Sequence, residues 1–69
     1  MHKLSAGELQ DADWGYQYTE ISLEREYTFT RVVFENCTFV MHECNVTFTD
    51  CVLDHCVFHG YGVINVSSN

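Results

Sequence analysis

Large apolar residues recur along residues 27–58 in steps that alternate between two and three: Tyr27, Phe29, Val32, Phe34, Cys37, Phe39, then, after a break, Val46, Phe48, Cys51, Leu53, Cys56, Phe58. A flat strand requires unbroken steps of two and an α-helix steps of three and four, so neither accounts for the pattern. A chain that turns a corner every five residues does. Four such corners close a square coil of about twenty residues, with successive coils stacked at the ~4.8 Å strand spacing. Read in fives, the third position is Phe29, Phe34, Phe39, Phe48, Leu53 and Phe58, which takes in all five phenylalanines of the chain. Three of the four cysteines, Cys37, Cys51 and Cys56, fall in the first position. A repeat of this kind decides the fold before any individual strand does.

Stacking can be tested on the numbering alone. Phe29 and Phe48, Phe34 and Leu53, Phe39 and Phe58, and Cys37 and Cys56 are each nineteen apart. A one-residue deletion between Val40 and Asn45 accounts for the shortfall from twenty and leaves Cys44 as the one cysteine out of frame. The core is then a ladder of large residues, each on its counterpart one coil away. Tyr61 and Val63 are expected to continue the inward spacing for one more face, with Val66 following raggedly before the Ser67-Ser68-Asn69 tail.

Ahead of the repeat, Ser5 and Glu8 have the spacing of a capping box. They predict a short helix from about Ala6 to Asp13, stopped at Gly15, whose Leu9 and Trp14 cover one end of the β region. The alternation Tyr16, Tyr18, Ile21, Leu23 reads as one extended strand with a slip near Thr19, and Glu24-Arg25-Glu26 as a charged turn. The chain therefore divides, within one domain of 69 residues, into a helical cap (5–14), a strand and turn (16–26), the repeat (27–63) and a tail (64–69).

These blocks resemble the pentapeptide-repeat family, which carries Leu or Phe at the centre of each five and a small residue two positions earlier. The family's usual Asp or Asn just before the centre is replaced here by Thr28, Val33, Thr38, Thr47, Val52 and Val57. The resemblance implies a mainly β fold, a right-handed quadrilateral β-helix-like stack, here of about two coils with a short N-terminal α-helix. The alternative is a small α+β antiparallel sheet packed on one helix, with Cys44, Val46 and Phe48 as a plain alternating strand. Two coils are few for an architecture that needs three or more units to bury its faces, so the open ends must be covered. The helix can cover one. The other calls for a binding partner or for self-association as a homodimer.

Charge narrows the function. Ten acids against three bases give −7, and the bases Lys3, Arg25 and Arg31 all come early. From Val32 onward there is no Lys or Arg, while Glu35, Glu43, Asp50 and Asp54 remain. Three bases cannot neutralise the several phosphates that nucleic-acid binding requires, whereas an acidic surface steers toward basic partners. The plainer reading is that the charge keeps a small β protein dispersed. No apolar run approaches a membrane span and the first residues lack the apolar core of a signal peptide, which leads to the expectation of a cytoplasmic protein with free, buried thiols. The triplets Asn36-Cys-Thr38, Asn45-Val-Thr47 and Asn65-Val-Ser67 then mark turns rather than glycosylation.

Catalytic and metal chemistry find little purchase. No two cysteines have Cys-x-x-Cys spacing, and in the nearest cluster, His55, Cys56 and His59, the cysteine is expected to face inward, so no metal or cofactor is expected. Nucleophilic cysteines need a partly exposed, electropositive site, and these are small buried residues in an acidic chain. The expectation is a non-enzyme.

The inverse of nucleic-acid binding fits the charge: a compact body with outward carboxylates can occupy a groove built for duplex DNA, which presents about one charge per 1.7 Å of axis. Some pentapeptide-repeat proteins are DNA mimics of this kind that occupy the DNA-binding saddle of type II topoisomerases. By size and acidity the chain also resembles small phage-encoded anti-CRISPR proteins, some of which block target-DNA or PAM binding by type I surveillance complexes such as Cascade. That resemblance implies a small inhibitor acting in the cytoplasm of a phage's or mobile element's host. The partner-binding residues expected are Glu24, Glu26, Glu35, Glu43, Asp50 and Asp54. Inhibition of a type II topoisomerase, or a structural or assembly role without inhibition, are the alternatives.

Overall fold

The computed structural model describes residues 2–10 and 14–67. The chain is a β-solenoid of about four turns, correcting the expectation of about two coils, and strands make up 71% of the described residues. Among the described residues eight strands follow in order: β1 (His2–Ser5), β2 (Gly15–Gln17), β3 (Thr19–Leu23), β4 (Tyr27–Thr30), β5 (Val33–Glu35), β6 (Thr38–Thr49), β7 (Val52–Asp54) and β8 (Val57–Ser67). Every strand pairing among the described residues is parallel, so the antiparallel alternative does not hold.

The pairings form three stacked ladders rather than the four sides expected from a square coil. One runs β1, β3, the first part of β6 and the first part of β8; the second runs β4, the rest of β6 and the rest of β8; the third runs β2, β5 and β7. Corners between them are made by single residues in the left-handed region: Tyr18, Arg31, Asn36, Glu43, Asp50, His55 and Gly60. A turn of 17 to 19 residues divided among three ladders leaves sides of unequal length, which a strict five-residue period cannot describe. Asn and Asp suit this backbone, while Tyr, Arg, Glu and His are held in it by the ladder. The holding bonds are visible. The corner amides of Tyr18, Arg31, Asn36 and Asp50 donate to the carbonyls of Glu35, Thr49, Asp54 and Ser67, each one turn further on, at 2.9 to 3.0 Å.

The nineteen-residue ladder holds. Phe29 lies over Phe48, Phe34 over Leu53 and Phe39 over Phe58 in direct register. Their rings stack along the solenoid axis, with Phe29 and Phe48 centroids 5.4 Å apart and Phe39 and Phe58 5.0 Å apart, both close to parallel. Within a turn the packing is edge to face, Phe34 meeting Phe29 and Phe39 at 5.0 Å. Both geometries are preferred by aromatic quadrupoles, so the core combines two favourable ring contacts in perpendicular directions.

Irregularity falls where the numbering placed it, with a different sense. β6 carries one residue more than its neighbours between Met41 and Val46, and the register shifts between His42 and Cys44. Glu43, in the left-handed region, takes up the extra position as a bulge. That bulge returns Cys44 to the interior, where it is buried and its thiol donates to the Leu23 carbonyl at 3.3 Å. Across the same corner of β8, Ile64 and Val66 rather than Tyr61 and Val63 stand in register with the buried Val46 and Phe48. Tyr61 and Val63 are exposed, correcting the expectation that they face inward.

The N-terminal helix is also corrected. It is reduced to a single 3₁₀ turn, Ala6–Glu8, preceded by β1; Leu9 is already extended and Gln10 is not helical, and residues 11–13 of the expected helix lie outside the described residues. The capping interaction is nevertheless present, with the Ser5 amide and hydroxyl both donating to Glu8 Oε1 at 3.0 Å. The hydrogen bond donated by the Ser5 backbone amide holds the Glu8 carboxyl below its ordinary pKa. Leu9 packs against the core, but Trp14 is exposed and does not cover it. Tyr18 is a corner rather than part of a continuous strand, because β2 ends at Gln17 and β3 begins at Thr19. Of the three asparagines read as turn markers, Asn36 is a corner, whereas Asn45 and Asn65 lie within β6 and β8.

Candidate functional site

A solenoid with an apolar interior displays its acids outward, and the corners decide where. Glu43 and Asp50 are themselves corner residues. Glu35 and Asp54 each end a short strand just before a corner and are register partners on adjacent turns. Register partners on neighbouring strands stand ~4.8 Å apart, so the β2–β5–β7 face carries two carboxylates stacked along the axis. Gln17 extends this column by one turn, its Nε2 donating to Glu35 Oε1 at 3.0 Å. Asp54 Oδ1 lies 2.7 Å from His55 Nδ1. Glu24 and Glu26 flank Arg25 in the link from β3 to β4, and Glu43 occupies the corresponding link one turn later.

The six expected binding acids are therefore exposed or half-exposed, and they divide among three places. Glu24, Glu26 and Glu43 follow one edge, Glu35 and Asp54 share one face, and Asp50 holds another edge beside the corner of Arg31. The structure does not bring all six onto one surface. Sequence reasoning missed Glu20, half-exposed on β3, which engages Lys3 at 3.9 Å. The period-two alternation of β3 was the available signal, since it turns Glu20 outward beside the inward Ile21. It also missed a groove of about 390 Å³ beside the acidic column, lined by Tyr16, Gln17, Val33, Glu35 and the exposed Trp14 that the sequence assigned to covering the end of the β region.

The cysteines share one interior role. All four are free, and each thiol donates to a carbonyl of the preceding turn: Cys37 to Tyr16, Cys44 to Leu23, Cys51 to Phe29 and Cys56 to Phe34, at 3.3 to 3.6 Å. Burial pushes the Cys37 thiol above its ordinary pKa. A thiol raised in the fold stays protonated where the unfolded chain would ionise, so its stabilising contribution is complete below ~8.5, the ordinary thiol pKa, and falls as pH rises past it. Native-state alkylation with iodoacetamide, followed by peptide mass analysis, is expected to modify half-buried Cys51 and Cys56 before buried Cys37 and Cys44. Simultaneous labelling of all four without unfolding would contradict the burial.

Among the described residues no group of three or more His, Cys, Asp or Glu is arranged to hold a metal ion, and no helix is long and apolar enough to cross a membrane. In the cluster singled out from sequence, Cys56 points to the Phe34 carbonyl while His55 turns to Asp54. Comparison with protein-family models, with curated proteins and with solved structures finds no match to the chain.

Proposed function

We propose that the protein is a small acidic inhibitor, not an enzyme, that occupies a basic DNA-binding surface as a DNA mimic. The observation that carries this reading is the axial column of Glu35 over Asp54, held on a rigid parallel ladder in the part of the chain without Lys or Arg. Carboxylates fixed on a β-scaffold lose little conformational entropy on binding, as a mimic of a stiff polyanion requires. Glu43 with Glu24 and Glu26 supplies a second line of charge on a neighbouring edge, and Asp50 stands between the two in the course of the chain. Among basic targets, the DNA- or PAM-binding surface of a type I CRISPR surveillance complex is the first choice on size and charge, and a type II topoisomerase the second.

The test is competition for target DNA by the purified protein against each complex, at low and moderate salt. Salt-sensitive displacement is expected with one of them. In the double variant Glu35→Lys, Asp54→Lys the inhibitory concentration is expected to rise by at least ~10-fold, because two charge pairs become repulsive. Both side chains face outward, Asp54 exposed and Glu35 half-exposed with only the Gln17 hydrogen bond to lose, so the cost to the fold is about 1 kcal/mol and circular dichroism should be unchanged. Undiminished inhibition by the double variant would remove the column from the site, and failure to displace DNA from either target would remove the mimic. An assembly role without inhibition is favoured by a different feature, the apolar last turn.

A further inference from the structure

Along the solenoid axis, equivalent inward positions lose their cover at the C-terminal end. Phe34, Phe39, Val46 and Phe48 are fully buried, whereas their register partners one turn on are not: Leu53 and Phe58 are half-buried, Ile64 is 41% exposed and Val66 70%. Outward Val52, Val57, Tyr61 and Val63 on the same turn add to an apolar end surface. The corner bonding that runs from Tyr18 to Asn36 to the next turn reaches His55, beyond which no turn follows among the described residues. β8 is thus an edge strand of 11 residues, bent at Gly60, with no Pro and no Lys, Arg, Asp or Glu to discourage pairing. The opposite end differs, because Ala6 and Leu9 pack on the core there.

We infer that this end is the interface of a symmetric homodimer, in which β8 of one copy pairs antiparallel with β8 of another. Charge selects a second copy over a basic partner. The chain carries −7, yet residues 55–67 contain no Asp, Glu, Lys or Arg. β8 is thus the stretch of the last turn along which two like-charged copies can pair without placing carboxylates against each other, Asp50 and Asp54 lying on the same turn but outside it, and β8 itself offers a basic partner nothing to neutralise. Two-fold symmetry selects the antiparallel arrangement, since one surface must match itself and both copies expose the same strand edge. Size sets the bound: for a body of 26 × 25 × 22 Å the end section is roughly 450 to 500 Å² per copy, so full end-to-end contact buries at most about 1,000 Å², the threshold for a specific interface.

Light scattering after size exclusion, from about 1 to 100 µM, is expected to show a shift from the 8.0 kDa chain to twice that mass. Hydrogen exchange at both ends of that range is expected to slow in β8 and not in β1. Val66→Lys and, separately, Ile64→Lys are each expected to raise the midpoint concentration by at least ~10-fold, with Val66 the safer for folding because it is already exposed. A chain that stays at 8.0 kDa at 100 µM, a dimer without β8 protection, a dimer indifferent to both lysines, or growth past two copies into head-to-tail fibres would each overturn the interface.

Discussion

Phe34→Ala will leave folded and unfolded forms comparably populated at room temperature. Phe34 is fully buried and its ring meets four others: Tyr16 at 5.6 Å on the turn before, Phe29 and Phe39 at 5.0 Å, and Phe48 at 5.6 Å. Removing a phenylalanine from such a site costs ~3–5 kcal/mol, the lost transfer energy plus the cavity. A single core in a chain of this size supplies only ~3–5 kcal/mol in total, so the two quantities nearly cancel. Phe58→Ala, at the half-buried end of the column, is expected to lose roughly half as much, because part of its surface is already in water. Thermal melts of both variants check the order. Since 1 kcal/mol moves the midpoint of a domain this small by about 4–8 °C, a Phe34→Ala midpoint within a few degrees of the parent would mean that the ring stack is not the core.

The ring columns were legible in the sequence because stacking in parallel register is a property of spacing: residues nineteen apart meet whatever the shape of the coil. The number of sides was not. Corners here are single left-handed residues, and Tyr18, Arg31, Glu43 and His55 carry no turn signature of the kind that Asn36 and Asp50 do. Turns before Tyr27 were hidden for the same reason, since Leu4, Ile21 and Phe39 form one column with spacings of 17 and 18. The capping pair Ser5 and Glu8 predicted a helix start, and the local bonds formed; the helix ends after one 3₁₀ turn, where Leu9 becomes extended and packs against the core. For the candidate site, outward orientation followed from the repeat, as with Glu35 and Asp54. Their grouping did not, because it depends on which face each corner sends the chain along.

Gly60→Ala and Gly62→Ala are expected to be as damaging as the loss of a core ring, for a reason that burial does not reveal, since both glycines are exposed. At the corner where β8 passes from one ladder to the next, the chain runs against the bulge of β6. A Cβ on Gly60 would lie 2.0 Å from the Met41 carbonyl oxygen, and one on Gly62 would lie 2.1 Å from the Cys44 carbonyl oxygen and 2.6 Å from Met41 Cε. Both obstacles include backbone already fixed in the ladder, so relief requires β8 to move off β6. Gly60 adds a φ of 94°, which an L side chain resists by a further ~1–2 kcal/mol. Gly7→Ala provides the control: nothing lies within 4 Å of its Cβ, and the effect is expected to be between neutral and about 1 kcal/mol stabilising. Denaturant titration of the three variants, with hydrogen exchange on β8, separates the causes. Loss of β8 protection in Gly62→Ala with the earlier turns intact would show that the last turn detaches as a unit. A Gly62→Ala protein as stable as Gly7→Ala would mean that β8 does not approach β6 this closely.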